Sequence, residues 1–167
     1  GLVNGLALGK SVLNMFSYTA AFSVAAAMGG AVETTSVDLA KRSRELSTAH
    51  FEANGFSMGN HRLVVMDVFD YFKYAKKKGL SYDLIVIDPP SFARNKKRTF
   101  SANKDYHKLI AQSLDILSEH GTIIASTNAA NMTVQQFKKQ LRKGLGDVSA
   151  DFVNLQQLPA DFTVNPN

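Results

Sequence analysis

Asp38, Asp67 and Asp88 each close a short run of β-forming character. Carboxylates gathered at the ends of neighbouring strands repel one another unless donors arrive to bind them, and a nucleoside brings ribose hydroxyls and an exocyclic amine. Asp38 follows Tyr18 by 20 residues, the spacing at which the acid of a nucleotide-binding βαβ unit meets ribose hydroxyls. The other use of an aspartate there is to cap the next helix. Asp67 suits the amino group of adenine or, equally, a helix cap.

The third acid opens the string Asp88-Pro89-Pro90-Ser91-Phe92. Two prolines fix φ and remove two backbone donors, leaving a rigid turn whose carbonyls accept from a nucleobase while Phe92 stacks on it. A plain strand-ending turn is the simpler alternative. Directly afterwards Arg94, Lys96, Lys97 and Arg98 place four cations in five residues, where phosphates of a bound RNA would pass. A solvated charge run has the same composition. Lys138, Lys139, Arg142 and Lys143 stand late in the last helix, where its negative end accounts for them.

The loop Phe16-Ser17-Tyr18-Thr19-Ala20 has no G-x-G-x-x-G near it. A dinucleotide needs those glycines for close backbone approach to its pyrophosphate. A nicotinamide-dependent oxidoreductase, suggested by the spacing of Asp38, is therefore disfavoured against a nucleoside cofactor without phosphate. His50, His61, His107 and His120 lie on separate elements without metal-ligand spacing, so no metal is expected. No Gly-x-Ser-x-Gly elbow or phosphate-binding loop occurs, so hydrolase and kinase readings lack support. The chain has no Cys, which excludes disulfides, thiolate metal sites and a cysteine nucleophile from this chain.

The elements that must position these residues alternate between short β-rich runs and longer helical spacings, the pattern of a parallel sheet covered by helices. Strands are expected at residues 11–18, 31–38, 61–67, 82–88 and 121–126, with a sixth at 150–158. Helices are expected at 20–28, where Gly29-Gly30 gives a stop signal, and at 39–54. A short aromatic helix with Phe69 and Phe72 follows, then one running to Glu119 and one spaced by Val134, Phe137 and Leu141. The resulting fold is α/β, a doubly wound and mostly parallel sheet whose last strand is truncated. Ligands of such sheets sit at the carboxyl ends of the strands, where the acids stand.

At 167 residues the chain forms one domain. Its start at Gly1 suggests a segment of a longer protein. The formal charge of +5 favours polyanionic partners. No apolar run approaches the roughly 20 residues that span a bilayer, and no signal peptide is evident, so a cytoplasmic protein without membrane contact is expected.

Taken together, Leu13-Asn14-Met15-Phe16-Ser17-Tyr18-Thr19, Gly29-Gly30-Ala31, Thr34-Thr35-Ser36-Val37-Asp38 and Asp88-Pro89-Pro90-Ser91-Phe92 resemble bacterial large-subunit ribosomal RNA methyltransferases, class I enzymes using S-adenosylmethionine. That group includes cytosine carbon-5 and guanine nitrogen-7 enzymes, and the similarity covers roughly residues 10–145. It implies S-adenosylmethionine contacts at Phe16, Ser17, Tyr18, Thr19 and Ala20, at Asp38 with Leu39, at Asp67 with Val68, and at Asp88. The target base lies beside Pro89, Pro90 and Phe92 on the same ground. Ala20 stands where the family commonly has Gly, and Ser126-Thr127-Asn128 lacks the Cys with which the cytosine enzymes attack their ring. Carbon-5 of cytosine is not nucleophilic without that adduct, whereas guanine nitrogen-7 already is, so direct transfer to nitrogen-7 is favoured. A non-catalytic RNA-binding domain of the same fold is the rival reading.

Overall fold

In the computed structural model, which describes residues 2–152, five strands form one parallel sheet in the order β3-β2-β1-β4-β7. These are β1 (Ser11–Met15), β2 (Glu33–Asp38), β3 (His61–Val65), β4 (Tyr82–Ile87) and β7 (Leu117–Ala125). A small antiparallel hairpin, β5 (Phe92–Arg94) and β6 (Thr99–Ser101), interrupts the path from β4 to the next helix. The helices are α1 (Leu2–Leu6), α2 (Ala21–Met28), α3 (Lys41–Ala53), α4 (Val68–Lys78), α5 (Ala102–Leu114) and α6 (Val134–Leu145).

The strand period of two sends successive side chains of β4 to opposite faces, both covered, while β1 and β2 also bury Asn14, Thr34, Thr35 and Ser36. Leu84 and Val86 of β4 pack with Val3, Ala7, Val12 and Ala26, whereas Ile85 and Ile87 join Leu13, Met15 and side chains of α4, α5 and α6. Both faces are covered, so neither set of alternating side chains meets water. Gly29 lets α1 approach α2, since a Cβ there would fall 2.1 Å from the Asn4 carbonyl oxygen. Asp67 caps α4 by accepting from the Phe69 and Asp70 N–H groups, Gly79 closes the same helix with φ 69°, and Thr133 and Gln136 form a capping box on α6.

Several boundaries differ from the sequence expectation. Strand β1 stops at Met15 because Phe16, Tyr18 and Ala20 have φ of 59°, 46° and 61°, which no extended strand tolerates. Strand β2 starts at Glu33, after Gly30 and a bend. The helix expected to reach Glu119 ends at Leu114, because Leu117 pairs with Tyr82 while Thr122 pairs with Leu84. The residues between form a bulge in which Ser118 bonds Asp83 and His120 takes φ 61°. The basic stretch after Pro90, read as a loop, is the β5–β6 hairpin. Of the strand expected at 150–158, residues 150–152 carry no strand, and the remainder lies outside the described residues.

Candidate functional site

The loop after β1 places three non-glycine residues in the left-handed region within five positions. Each such residue costs on the order of 1–2 kcal/mol, so the surroundings must over-determine the loop. They do. Asp38 Oδ2 accepts from Tyr18 N at 2.9 Å, Ser17 N donates to Val37 O at 3.0 Å, Ser47 Oγ donates to Tyr18 O at 3.0 Å, and His50 Nδ1 lies 3.1 Å from Thr19 O. Ala20 sends its methyl group into the cluster of Val24, Ala27 and Phe51. Its side chain therefore faces the core, and the backbone alone faces the other way. Ser47 was not singled out in the sequence, and His50 was weighed there only as a metal ligand and set aside.

Asp38 does not cap α3, whose N-cap is Ala40. Its Oδ1 accepts from Ala40 N at 3.0 Å while Oδ2 holds the β1 loop, so each oxygen retains a free lone pair. Asp67 serves as a cap and faces the site as well. Oδ1 takes both helix N–H groups, and Oδ2 accepts from Asn95 Nδ2 at 2.7 Å. Asp88 accepts from a single side-chain hydroxyl, that of Ser126, at 2.8 Å. The Tyr106 hydroxyl donates to Ser126 O at 2.7 Å and lies 3.2 Å from Ile87 O, bridging the ends of β4 and β7. Burial, then the charge of Asp88, holds the Tyr106 phenol far above its ordinary pKa, so it remains a neutral donor.

The β5–β6 hairpin folds back over the start of α4. Asn95 Oδ1 closes its turn by accepting from the Lys97 and Arg98 N–H groups, at 2.8 and 3.1 Å. Lys97 Nζ pairs with Asp70 at 2.7 Å, and Arg98 pairs with Asp70 at 3.0 Å and Asp67 at 3.2 Å while lying 5.2 Å from the Phe69 ring centre. The hydrogen bond from Lys97 leads the effects that hold Asp70 below the usual carboxylate range. Two of the four cations expected to meet RNA are thus engaged with α4. Arg94 and Lys96 remain exposed and form no ion pair among the described residues.

These elements enclose a cavity of about 430 Å³ at the carboxyl end of the sheet. Of the residues expected at the site, Phe16, Tyr18, Asp38, Leu39, Asp67, Val68, Asp88, Pro89, Pro90, Arg94 and Arg98 line it. Ser17, Thr19, Ala20, Lys96 and Lys97 do not, and Phe92 stands 60% exposed outside its wall. Phe69, Ala93, Asn95, Phe100 and Asn128 line it without having been expected. The hairpin brings Ala93, Asn95 and Phe100, and no local pattern announces a hairpin in a charged stretch. Among the described residues no group of three or more His, Cys, Asp or Glu could hold a metal ion, and no helix is long and apolar enough to cross a membrane.

A family model described as S-adenosylmethionine-dependent methyltransferase matches residues 2–166. A Bacillus subtilis protein provisionally named as the ribosomal RNA large subunit methyltransferase YwbD is 49% identical over 93% of this chain and 40% of its own length. Ribosomal RNA large subunit methyltransferase K of Neisseria meningitidis serogroup B is 35% identical over 96% of this chain and 44% of its own. The crystal structure of SMU.776, provisionally described as a methyltransferase and complexed with SAH, superposes with a TM-score of 0.93 at 72% identity, covering 99% of this chain and 43% of that one. The chain spans less than half the length of these relatives.

Proposed function

The chain belongs to the S-adenosylmethionine-dependent methyltransferase family, and on that premise we propose that residues 1–167 are the catalytic domain of an enzyme that methylates a base of large-subunit ribosomal RNA. The observation that carries the reading is the rim itself: three acids around one cavity, Asp38 and Asp88 with spare acceptor capacity, next to the Pro89-Pro90 turn. An S-adenosyl group fits that donor set. Its ribose hydroxyls suit Asp38, its adenine amine suits the second lone pair of Asp67 Oδ2, and Leu39, Val68, Phe69 and Phe16 offer apolar surface for the ring. The β1 loop and Asp88 hold the remainder. A nicotinamide dinucleotide is disfavoured because the β1 loop lacks the glycine fingerprint that admits a pyrophosphate, and retention of the rim acids speaks against a non-catalytic module.

Bound there, the cofactor supplies a sulfonium-activated methyl group. The protein's part is alignment and exclusion of water. The β1 loop, fixed by Asp38, Ser47 and His50, sets one side of the cavity, and the Asp88-Pro89-Pro90 turn, fixed by Ser126 and Tyr106, sets the other. With no cysteine in these 167 residues, an acceptor that is nucleophilic unaided is favoured, and guanine nitrogen-7 is the assigned atom. That atom carries no proton to remove, so Asp88 orients and does not act as a base. Arg94 and Lys96 meet RNA phosphate, and a ribosomal RNA substrate implies a cytoplasmic enzyme. The test is incubation with tritiated S-adenosylmethionine and unmodified ribosomal RNA, followed by digestion. Label in 7-methylguanosine is expected, and label in 5-methylcytidine would reject direct transfer.

A further inference from the structure

Resting on that reading, we propose that Asn128 reads the Watson–Crick edge of the target guanine, accepting from N1–H through Oδ1 and donating to O6 through Nδ2. The cavity wall holds two carboxamides, Asn95 and Asn128, each able to donate and accept side by side. Asn95 holds Asp67 and its own turn, and Arg98 holds Asp67 and Asp70. The carboxamide of Asn128 makes no hydrogen bond to any described residue, yet it lines the cavity.

The strand register places it on the substrate side. Ile87 of β4 pairs with Ala125 of β7, and Ser126 N donates to Ile87 O at 3.0 Å, so the chains leave the sheet together. Pro90 and Asn128 each lie three residues past that pair. The turn is pinned, because Ala129 N donates to Thr127 Oγ1 at 3.2 Å and Ala129 is buried in the core. Asn128 is therefore presented to the cavity by anchors on both sides.

The side-chain chemistry fits a base edge. A carboxamide offers one planar acceptor and one donor side by side, which matches the adjacent N1–H and O6 of guanine in a two-bond pairing. It is neutral and adds no fourth negative charge to a cavity already lined by Asp38, Asp67 and Asp88. Engagement of the Watson–Crick edge also leaves nitrogen-7, on the opposite edge, open to the methyl donor.

The experiment uses the intact protein with ribosomal RNA and follows Asn128→Ala and Asn128→Asp. Both variants are expected to keep the wild-type melting temperature and cofactor affinity within about twofold by calorimetry, while kcat/KM for RNA falls about 10- to 100-fold. Asp cannot donate to O6, so it is expected to fail as Ala does. In a synthetic RNA fragment that the enzyme accepts, 2-aminopurine at the mapped target lacks O6 and N1–H. Its penalty and that of Asn128→Ala are expected to be non-additive. Wild-type kcat/KM in Asn128→Ala, or fully additive penalties, overturns the role of Asn128 alone. Absence of label from guanosine in the wild-type reaction overturns the functional reading and this inference together.

Discussion

The two ends of one parallel sheet treat their carboxylates differently. At the amino end Asp83 accepts from Ser11 N at 3.0 Å, Ser11 Oγ at 3.1 Å and Ser118 Oγ at 2.8 Å. The Ser11 backbone donor, then the Ser118 hydroxyl, holds its carboxyl below the usual range. At the carboxyl end, beside a cavity of about 430 Å³, Asp38 accepts from two donors and Asp88 from one, whereas Asp67, with Phe69 N, Asp70 N, Asn95 Nδ2 and Arg98, is as filled as Asp83. A filled carboxylate ties elements together, and one with spare acceptor capacity beside a cavity can take the donors of a ligand. The identities of the residues are the same, so only partner geometry separates structure from site.

The largest effect that would sharpen this contrast is expected from Asp88→Asn. Ser126 can still donate to the amide oxygen, but the charge is gone, and kcat/KM for RNA methylation is expected to fall about 100-fold. Since the proposed transfer to guanine nitrogen-7 abstracts no proton, the pH–rate profile between about 6 and 8 is expected to keep its wild-type shape. A new ionisation in that window would make Asp88 a base.

Asp38→Ala is expected to weaken S-adenosylmethionine about 10- to 100-fold in calorimetry. It also releases Tyr18 N from the strained loop, so the neighbouring backbone amides should exchange faster with solvent. Unchanged cofactor affinity in a folded Asp38→Ala protein would put this acid in the same class as Asp83.

At the other end, Asp83→Ala is expected to lower unfolding stability by about 2 kcal/mol and to leave cofactor affinity untouched. The pH dependence follows from the depressed carboxyl pKa of the folded state. Its stabilisation is present above the unfolded value, near 4, and is lost as pH falls through the lower folded value. Denaturant titrations below about pH 4 should therefore show a shallower acid loss in Asp83→Asn than in the wild type.

The smallest effects separate the cations of the hairpin. Replacing Arg94 and Lys96 with Ser is expected to reduce the log–log salt slope of RNA binding by about 1.4, two contacts to single-stranded phosphate. Lys97→Ser is expected to leave that slope alone and to lower hairpin stability by about 0.2–1 kcal/mol, since its partner is Asp70. Equal slopes for the two variants would return the whole stretch to an ordinary solvated surface.

Much of the fold was legible because its signals are local. The β-rich runs that became β2, β3 and β4, the Gly29-Gly30 stop and the acids at strand ends are patterns within a few residues. The Asp38 spacing was legible for the same reason, since a βαβ unit has a nearly fixed length. Less legible were the end of β1, the bulge in β7 and the hairpin. Each depends on partners far along the chain: Ser47 and His50 for the left-handed loop, Asp83 for Ser118, and Asp67 and Asp70 for Asn95, Lys97 and Arg98.

The sequence by itself determined the class of fold, the lack of cysteine within these 167 residues and the set of acids at the strand ends. Tertiary structure alone decided which of those groups stay available. Arg98 and Lys97 look as free as Arg94 and Lys96 in the sequence, but only a folded α4 presents the carboxylates that bind them. Asn128 looks like any loop residue until the β4–β7 register brings it beside Pro90. Composition and periodicity fix what each residue can do, whereas hydrogen-bond saturation depends on neighbours that only long-range pairing supplies.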